Sequence, residues 1–116
     1  MTDDAILMRL ALDEASAAAD RGDPGFGAIV ACAGQLVAQA SSTEVTARNP
    51  LAHDGLAVLR EACRRLGSTD LSGCTFYGTA EPGPMCSAAL LQTRIGRIVL
   101  GASEARWRTC WARESY

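Results

Sequence analysis

The spacing of apolar residues changes along the first half of the chain, and each change marks a new predicted element. An alanine-rich, helix-forming segment runs from Asp3 to about Asp20, with acidic residues in its first turn and Gly22 after its end. Two short apolar runs follow, Phe26–Cys32 and Gln35–Ala40, and the turn-forming pair Ala33-Gly34 separates them. This arrangement predicts a β-hairpin.

The second half of the chain predicts two more helices, each followed by a strand. The longer helix spans about Leu51 to Leu66, and its apolar residues step by four and three positions along one face: Ala52, Leu56, Leu59, Cys63 and Leu66. The remaining predicted elements are the strand Cys74–Thr79, the helix from Pro84 to about Thr93 and the strand Arg97–Gly101. The order α-β-β-α-β-α-β favours helices packed on a mixed sheet.

Composition and charge narrow the picture further. The 116 residues suit a single domain, 1–116, whose last segment, 102–116, fits a short helix or a loose tail equally well. The net charge is -2, which argues against nucleic acid as a partner. No apolar run is long enough to cross a membrane, and an acidic rather than basic N-terminus predicts a cytoplasmic protein. Five cysteines without a C-x-x-C pair are expected to be reduced thiols.

Several stretches together resemble the cytidine-deaminase-like superfamily, in particular its small guanine, cytosine and tRNA-adenosine deaminases. They are Phe26–Val30, Asn49–His53, Leu71–Tyr77 continuing into Glu81–Cys86, and Ile95–Ser103. The resemblance covers roughly residues 5–103. It implies an α/β fold of three layers, with a mixed sheet of about four to five strands, helices on both faces and a shortened C-terminus.

The chemical signature of that superfamily is H-x-E followed by P-C-x-x-C, in which one His and two Cys bind zinc and the Glu moves protons. This chain has Gly55 in place of the Glu and Gly83 in place of the first Cys. Only His53 and Cys86 remain as vestigial ligands, whereas a zinc site takes three or four protein ligands. The sequence therefore predicts a degenerate site with no cofactor, and zinc only where a replacement ligand such as Glu81 exists.

We expect the two remaining groups to form a Cys–His pair, because the helices that begin near His53 and Cys86 face each other in this fold. A helix N-terminus favours the thiolate, so the pKa of Cys86 is predicted to be low and its thiol more reactive than those of Cys32, Cys63, Cys74 and Cys110. The predicted catalytic residues are Cys86, His53, Glu81 and Asp54. The predicted substrate-binding residues are Phe26, Ser42, Gly55 and Gly83. For Asp54, capping of its own helix is an open alternative.

The resulting function hypothesis is a deaminase-fold enzyme that has lost zinc-dependent deamination and performs metal-independent chemistry on a nucleobase-like or amidine-like heterocycle. A cyclisation, isomerisation, elimination or hydrolysis would suit the pair Cys86 and His53. Two alternatives stay open: a catalytically dead binding or regulatory module, and a residual deaminase with a non-standard metal site. The expected partners are a small heterocyclic molecule and a second copy in a homodimer, with Trp107 and Trp111 available as a core or dimer face.

Overall fold

The structure, a computed structural model, describes residues 3–101. Three helices and four strands follow one another in the predicted order. They are α1 (Asp3–Arg21), β1 (Gly27–Cys32), β2 (Gln35–Ser41), α2 (Asp54–Leu66), β3 (Cys74–Gly78), α3 (Pro84–Gln92) and β4 (Arg97–Leu100).

The four strands form one mixed sheet in the order β2-β1-β3-β4. β1 is antiparallel to both β2 and β3, whereas β4 runs parallel to β3. The hairpin between β1 and β2 turns at Ala33 and Gly34, whose φ angles of 54° and 78° are both positive. Two positive φ angles are typical of the tight turn whose twist matches that of the flanking strands, which confirms the predicted hairpin.

β1 is buried on both sides because helices cover both faces of the sheet. Its residues Ala28 and Val30 pack with Val58 and Leu59 of α2 and with Leu90 of α3. Ile29 and Ala31, which alternate with them, pack on the opposite face with Leu7 and Ala11 of α1 and with Tyr77 of β3. The predicted three-layer α/β fold is therefore confirmed.

The second helix differs from its prediction in both its start and its buried face. It begins at Asp54 rather than near Leu51, because residues 45–51 form turns and His53 is still extended, with φ −82° and ψ 148°. The buried face consists of Gly55, Val58, Leu59 and Ala62. Leu66 was predicted to lie on the buried stripe but is 44% exposed. The buried face thus keeps Leu59 of the predicted stripe but is rotated towards Gly55, Val58 and Ala62.

Some predictions fall outside residues 3–101 or are not tested by them. Residues 102–116, with Cys110 and the proposed face of Trp107 and Trp111, lie beyond the described part of the chain. That the whole chain is one domain stays a prediction. Within the described part, no helix is both long and apolar enough to span a membrane.

The contact between α1 and β1 depends on the absence of a side chain at Gly27. A Cβ atom there would lie 2.3 Å from the carbonyl oxygen of Ala11 and 2.6 Å from the amide nitrogen of Ala15, both of which are backbone atoms. We therefore expect Gly27→Ala to lower the free energy of unfolding by about 1–3 kcal/mol, the usual cost of overpacking. Urea denaturation measures this as a lower midpoint.

The matched control is Gly25→Ala, two residues earlier. A Cβ atom at Gly25 would make only ordinary contacts, the nearest being Ala19 Cβ at 3.5 Å. We expect this variant to unfold at nearly the wild-type urea concentration. Equal midpoints for the two alanine variants would show that the α1–β1 contact adjusts freely.

Candidate active site

A cavity of about 210 Å³ opens where α2 and α3 begin. The elements meet there because His53 immediately precedes α2 and Gly83 immediately precedes α3. Both residues have extended backbones, and Pro84 occupies the first turn of α3, where a missing N–H costs nothing. The positive ends of two helix dipoles are thus close to one cavity.

Seven of the eight residues predicted to form the site line this cavity: Phe26, His53, Asp54, Gly55, Glu81, Gly83 and Cys86. Ser42 does not. Its side chain is buried, and its hydroxyl donates to backbone carbonyls, 2.9 Å from that of Pro24 and 3.2 Å from that of Phe26. Ser42 thus fixes the turn that leads into β1. Phe26, which forms part of the cavity wall, lies in this turn next to the start of β1.

Glu44 and Phe76 also line the cavity, and the sequence analysis did not select either of them. The carboxylate of Glu44 lies 3.5 Å from His53, measured from Oε1 to Nε2. Nothing in the spacing of the polar segment between β2 and α2 signals this contact, because Glu44 lies nine positions before His53 and most of the residues between them form turns. Phe76 was recognised only as a strand residue, yet it also lines the cavity.

Asp54 places an acidic, partly buried side chain in the cavity wall. Burial raises the pKa of the Asp54 carboxyl, and the negative charge of Glu44 adds to that effect. The backbone N–H groups of Asp54 and Gly55 and the nearby His53 oppose the increase without cancelling it. A carboxyl group with a raised pKa is suited to exchanging protons near neutral pH.

Cys86 is 5% exposed and lies against the start of α2. Its sulfur accepts hydrogen bonds from the backbone N–H groups of Leu56 and Gly55, which favour the thiolate. These donors belong to the start of α2, whereas the prediction relied on the start of the helix that carries Cys86. Burial and the charge of Asp54 outweigh them, however, and raise the pKa of the Cys86 thiol. The predicted low pKa is therefore wrong, because a buried thiol loses more hydration than two N–H groups replace.

Gly55 provides the space that Cys86 occupies. A Cβ atom at position 55 would lie 2.8 Å from the Cys86 sulfur and 3.0 Å from its Cβ atom. The two residues therefore fit together, and the cavity wall at this point consists of the backbone of Gly55 and the side chain of Cys86.

The cavity carries two of the donor types that a zinc ion takes in proteins. Among the lining residues, His53 and Cys86 are the nitrogen and sulfur donors that zinc prefers. Across residues 3–101, no three His, Cys, Asp or Glu side chains form a group that could hold a metal ion. The described residues do not fit a zinc site with three protein ligands.

Comparison with known proteins identifies the family. The family model of the cytidine and deoxycytidylate deaminase zinc-binding region matches residues 1–102. The chain belongs to this deaminase family. A tRNA-specific adenosine deaminase of Bacillus subtilis (strain 168) is 36% identical to it over 106 residues, which is 91% of this chain and 66% of the relative. The deaminase chain thus spans slightly less than two thirds of that relative's length.

Solved structures of deaminases have the same fold. One comes from a study of A-to-I editing by tRNA:A34 deaminases at the wobble position of transfer RNA; it is 34% identical, has a TM-score of 0.85 and covers 90% of this chain and 81% of its own. The guanine deaminase from Bacillus subtilis is 26% identical with a TM-score of 0.86, covering 91% of this chain and 68% of its own.

These relationships correct the function and partner predictions made from the sequence. Metal-independent chemistry and a catalytically dead module are both contradicted, because three relatives that are 35–36% identical over 85–91% of this chain are named as tRNA-specific adenosine deaminases. The prediction of a small heterocyclic partner without nucleic acid is wrong for the same reason.

The cofactor prediction is also contradicted. The family is described by its zinc-binding region, which conflicts with the prediction that the chain needs no cofactor. It also conflicts with the prediction of a degenerate zinc site in a protein of small-molecule metabolism. The described donors nevertheless form no group of three, so we derive no reaction step through zinc. The homodimer, the cytoplasmic location and the individual roles of the site residues stay predictions.

Proposed function

We propose that this chain is a deaminase domain that converts adenosine in tRNA to inosine. Water adds to the ring carbon that carries the amino group, the carbon–nitrogen bond breaks, and ammonia leaves. The observation that carries the proposal is the partly buried Asp54 carboxyl group in a cavity bordered by Phe26 and Phe76, where desolvation raises the pKa of that carboxyl. The names of the relatives support tRNA as the substrate.

The size of the cavity suits one base rather than a whole nucleotide. Its volume of about 210 Å³ lies below the roughly 300–1,000 Å³ of pockets that enclose larger ligands. Enzymes that modify a base within a polynucleotide turn that base out of its stack into a tight pocket and hold it against aromatic side chains. Here Phe26 and Phe76 supply aromatic walls, while the sugar and phosphates of the tRNA remain outside.

Asp54 supplies the acid–base group in this proposal. The deaminase signature places a Glu two residues after the His, where this chain has Gly55, and Asp54 is the adjacent carboxyl group that lines the cavity. The carboxylate removes a proton from the attacking water and delivers a proton to the departing amine. His53 and the carboxylate of Glu44 form the polar side of the cavity beside it.

The direct test uses an anticodon stem-loop RNA with adenosine at the wobble position. Zinc is included in the buffer because of the family to which the chain belongs. We expect inosine to accumulate in proportion to enzyme, measured by nucleoside chromatography, and not with Asp54→Asn. No inosine from the stem-loop would overturn the tRNA proposal. Free guanine is tested in parallel. If only guanine is deaminated, the proposed deaminase activity stands, but the substrate is guanine and not tRNA.

A further expected result concerns the aromatic wall. Removing an aromatic group that stacks on a base costs about 1–3 kcal/mol, so Phe26→Ala should lower kcat/KM for the stem-loop by roughly 5- to 150-fold. Steady-state kinetics measures the loss. The control is Leu36→Ala on β2, since Leu36 is 45% exposed and lies outside the cavity. If both variants keep wild-type kcat/KM, Phe26 does not contact the base.

A further inference from the structure

A buried carboxylate outside the cavity holds the segment that carries Glu44. The side chain of Asp23, at the end of α1, is fully buried. It accepts hydrogen bonds from the backbone N–H groups of Val45 and Thr46, both at 2.9 Å, from the Thr46 hydroxyl at 2.9 Å and from Arg21 Nε at 3.1 Å. Burial alone would raise the pKa of Asp23, but these hydrogen bonds hold it below its usual value.

Arg21 binds the chain on the other side of Glu44. Its Nη2 donates to the carbonyl oxygen of Ser42 at 2.8 Å and to the hydroxyl of Ser41 at 3.0 Å. The Arg21–Asp23 pair therefore contacts the chain both before and after Glu44. Two adjacent charges at the end of α1 thus determine the path of the segment from Ser41 to Thr46.

The backbone just before His53 completes the arrangement. The N–H group of Thr43 donates to the carbonyl of Ala52 at 3.0 Å, and that of Asn49 donates to the carbonyl of Glu44 at 2.9 Å. Glu44 is thereby fixed next to His53, the residue that immediately precedes α2. Its carboxylate reaches to within 3.5 Å of His53 Nε2 from this position.

We propose that Asp23 is a positioning residue of the active site, which orders residues 42–46 so that the Glu44 carboxylate faces His53. Asp23 itself does not line the cavity and touches no substrate. The proposal rests on the proposed function for its catalytic consequence. Its structural part, the placement of Glu44 beside His53, is independent of any substrate.

The test exploits the fact that His53 is the only histidine in the chain, so that its ring protons give a single set of NMR signals. Asp23→Asn keeps the shape of the side chain but replaces an accepting oxygen with a donating amide. We expect it to shift the His53 ring signals at a fixed pH in the same direction as Glu44→Gln. The matched control is Asp70→Asn, because Asp70 accepts the N–H of Ser72 in an exposed turn and does not line the cavity; it should leave these signals unchanged.

Kinetics adds a second readout. A misplacement of about 1 Å can cost roughly 100-fold in rate, so we expect Asp23→Asn to lower kcat for the stem-loop by about 10- to 100-fold while KM changes little. Unshifted His53 signals in folded Asp23→Asn overturn the proposal. An inactive wild-type protein would overturn the proposed function instead, and the NMR comparison would still decide the role of Asp23.

Thr46→Val covers the case in which Asp23→Asn fails to fold. This substitution removes one hydroxyl donor to Asp23 and retains the carboxylate with its other three hydrogen bonds. We expect a smaller shift of the His53 signals in the same direction. Signals identical to those of the wild type would count against Asp23 as a positioning residue.

Discussion

Replacing Asp54 with Asn is expected to abolish most deamination and, at neutral pH, to make the protein more stable. A positioned acid–base group contributes about 10²- to 10⁴-fold to the rate, so kcat on the stem-loop should fall by that factor. The amide has nearly the same shape as the carboxyl group but carries no exchangeable acid proton. Single-turnover kinetics measures the chemical step directly.

The stability effect follows from the raised pKa of Asp54 in the folded protein. Because that pKa lies above the ordinary value of 3.8, folding favours the protonated form, and the wild type loses stability as pH rises through the folded pKa. Asn does not titrate. Its stabilising effect should therefore be present at neutral pH and disappear below about pH 4.

Asp20→Asn, an exposed substitution on α1, is the control for both measurements and should change neither. Urea denaturation at pH 7 and pH 3.5 gives the comparison. If Asp54→Asn keeps wild-type activity, Asp54 does not move the proton, and Glu44 or Glu81 does so instead. A variant that is less stable than the wild type at pH 7 would instead show that Asp54 acts mainly as a helix cap.

Phe76→Ala should produce the largest loss of stability. Phe76 is 2% exposed and belongs to the core between the sheet and α2, while its ring also borders the cavity. Truncation of a buried phenylalanine costs about 3–5 kcal/mol, against a total stability of roughly 5–15 kcal/mol for a domain. We expect a much lower midpoint of urea unfolding and a partly unfolded population at 37 °C.

The chain contains two phenylalanines, and the other one supplies the control. Phe26 is only partly buried, so Phe26→Ala should cost clearly less stability than Phe76→Ala, although it removes the same group. Similar losses for the two variants would place Phe26 in the core as well. The comparison separates the contribution of the core from that of the cavity wall.

The element order followed from the sequence because local signals agree with the fold. Ala33-Gly34 marks the hairpin turn, and Gly67 ends α2 in the left-handed conformation with φ 63°. The start of α2 was less accurate. The apolar stripe extends back to Ala52, but turns follow Glu44 and His53 is still extended, so the helix begins only at Asp54. The apolar pattern does not reveal these turns.

The site was predictable only where two signals coincided. The family resemblance and the predicted helix starts together indicated one site for His53 and Cys86, and both residues line the same cavity. The direction of the Cys86 pKa shift was missed because it depends on how much water the folded chain removes, and spacing carries no such information. Glu44 and Asp23 were missed because their contacts depend on tertiary folding: Asp23 meets Val45 and Thr46 across more than twenty residues.

The close fit between Gly55 and Cys86 restricts the order in which substitutions can accumulate. Any larger residue at position 55 meets the sulfur at less than van der Waals distance, so Cys86 must first rotate away or be replaced. A carboxylate introduced at position 55 alone would therefore displace the thiol as well as add a charge. The two positions are mutationally dependent, and an ancestor or descendant with a larger residue at position 55 would have passed through a rearranged cavity wall.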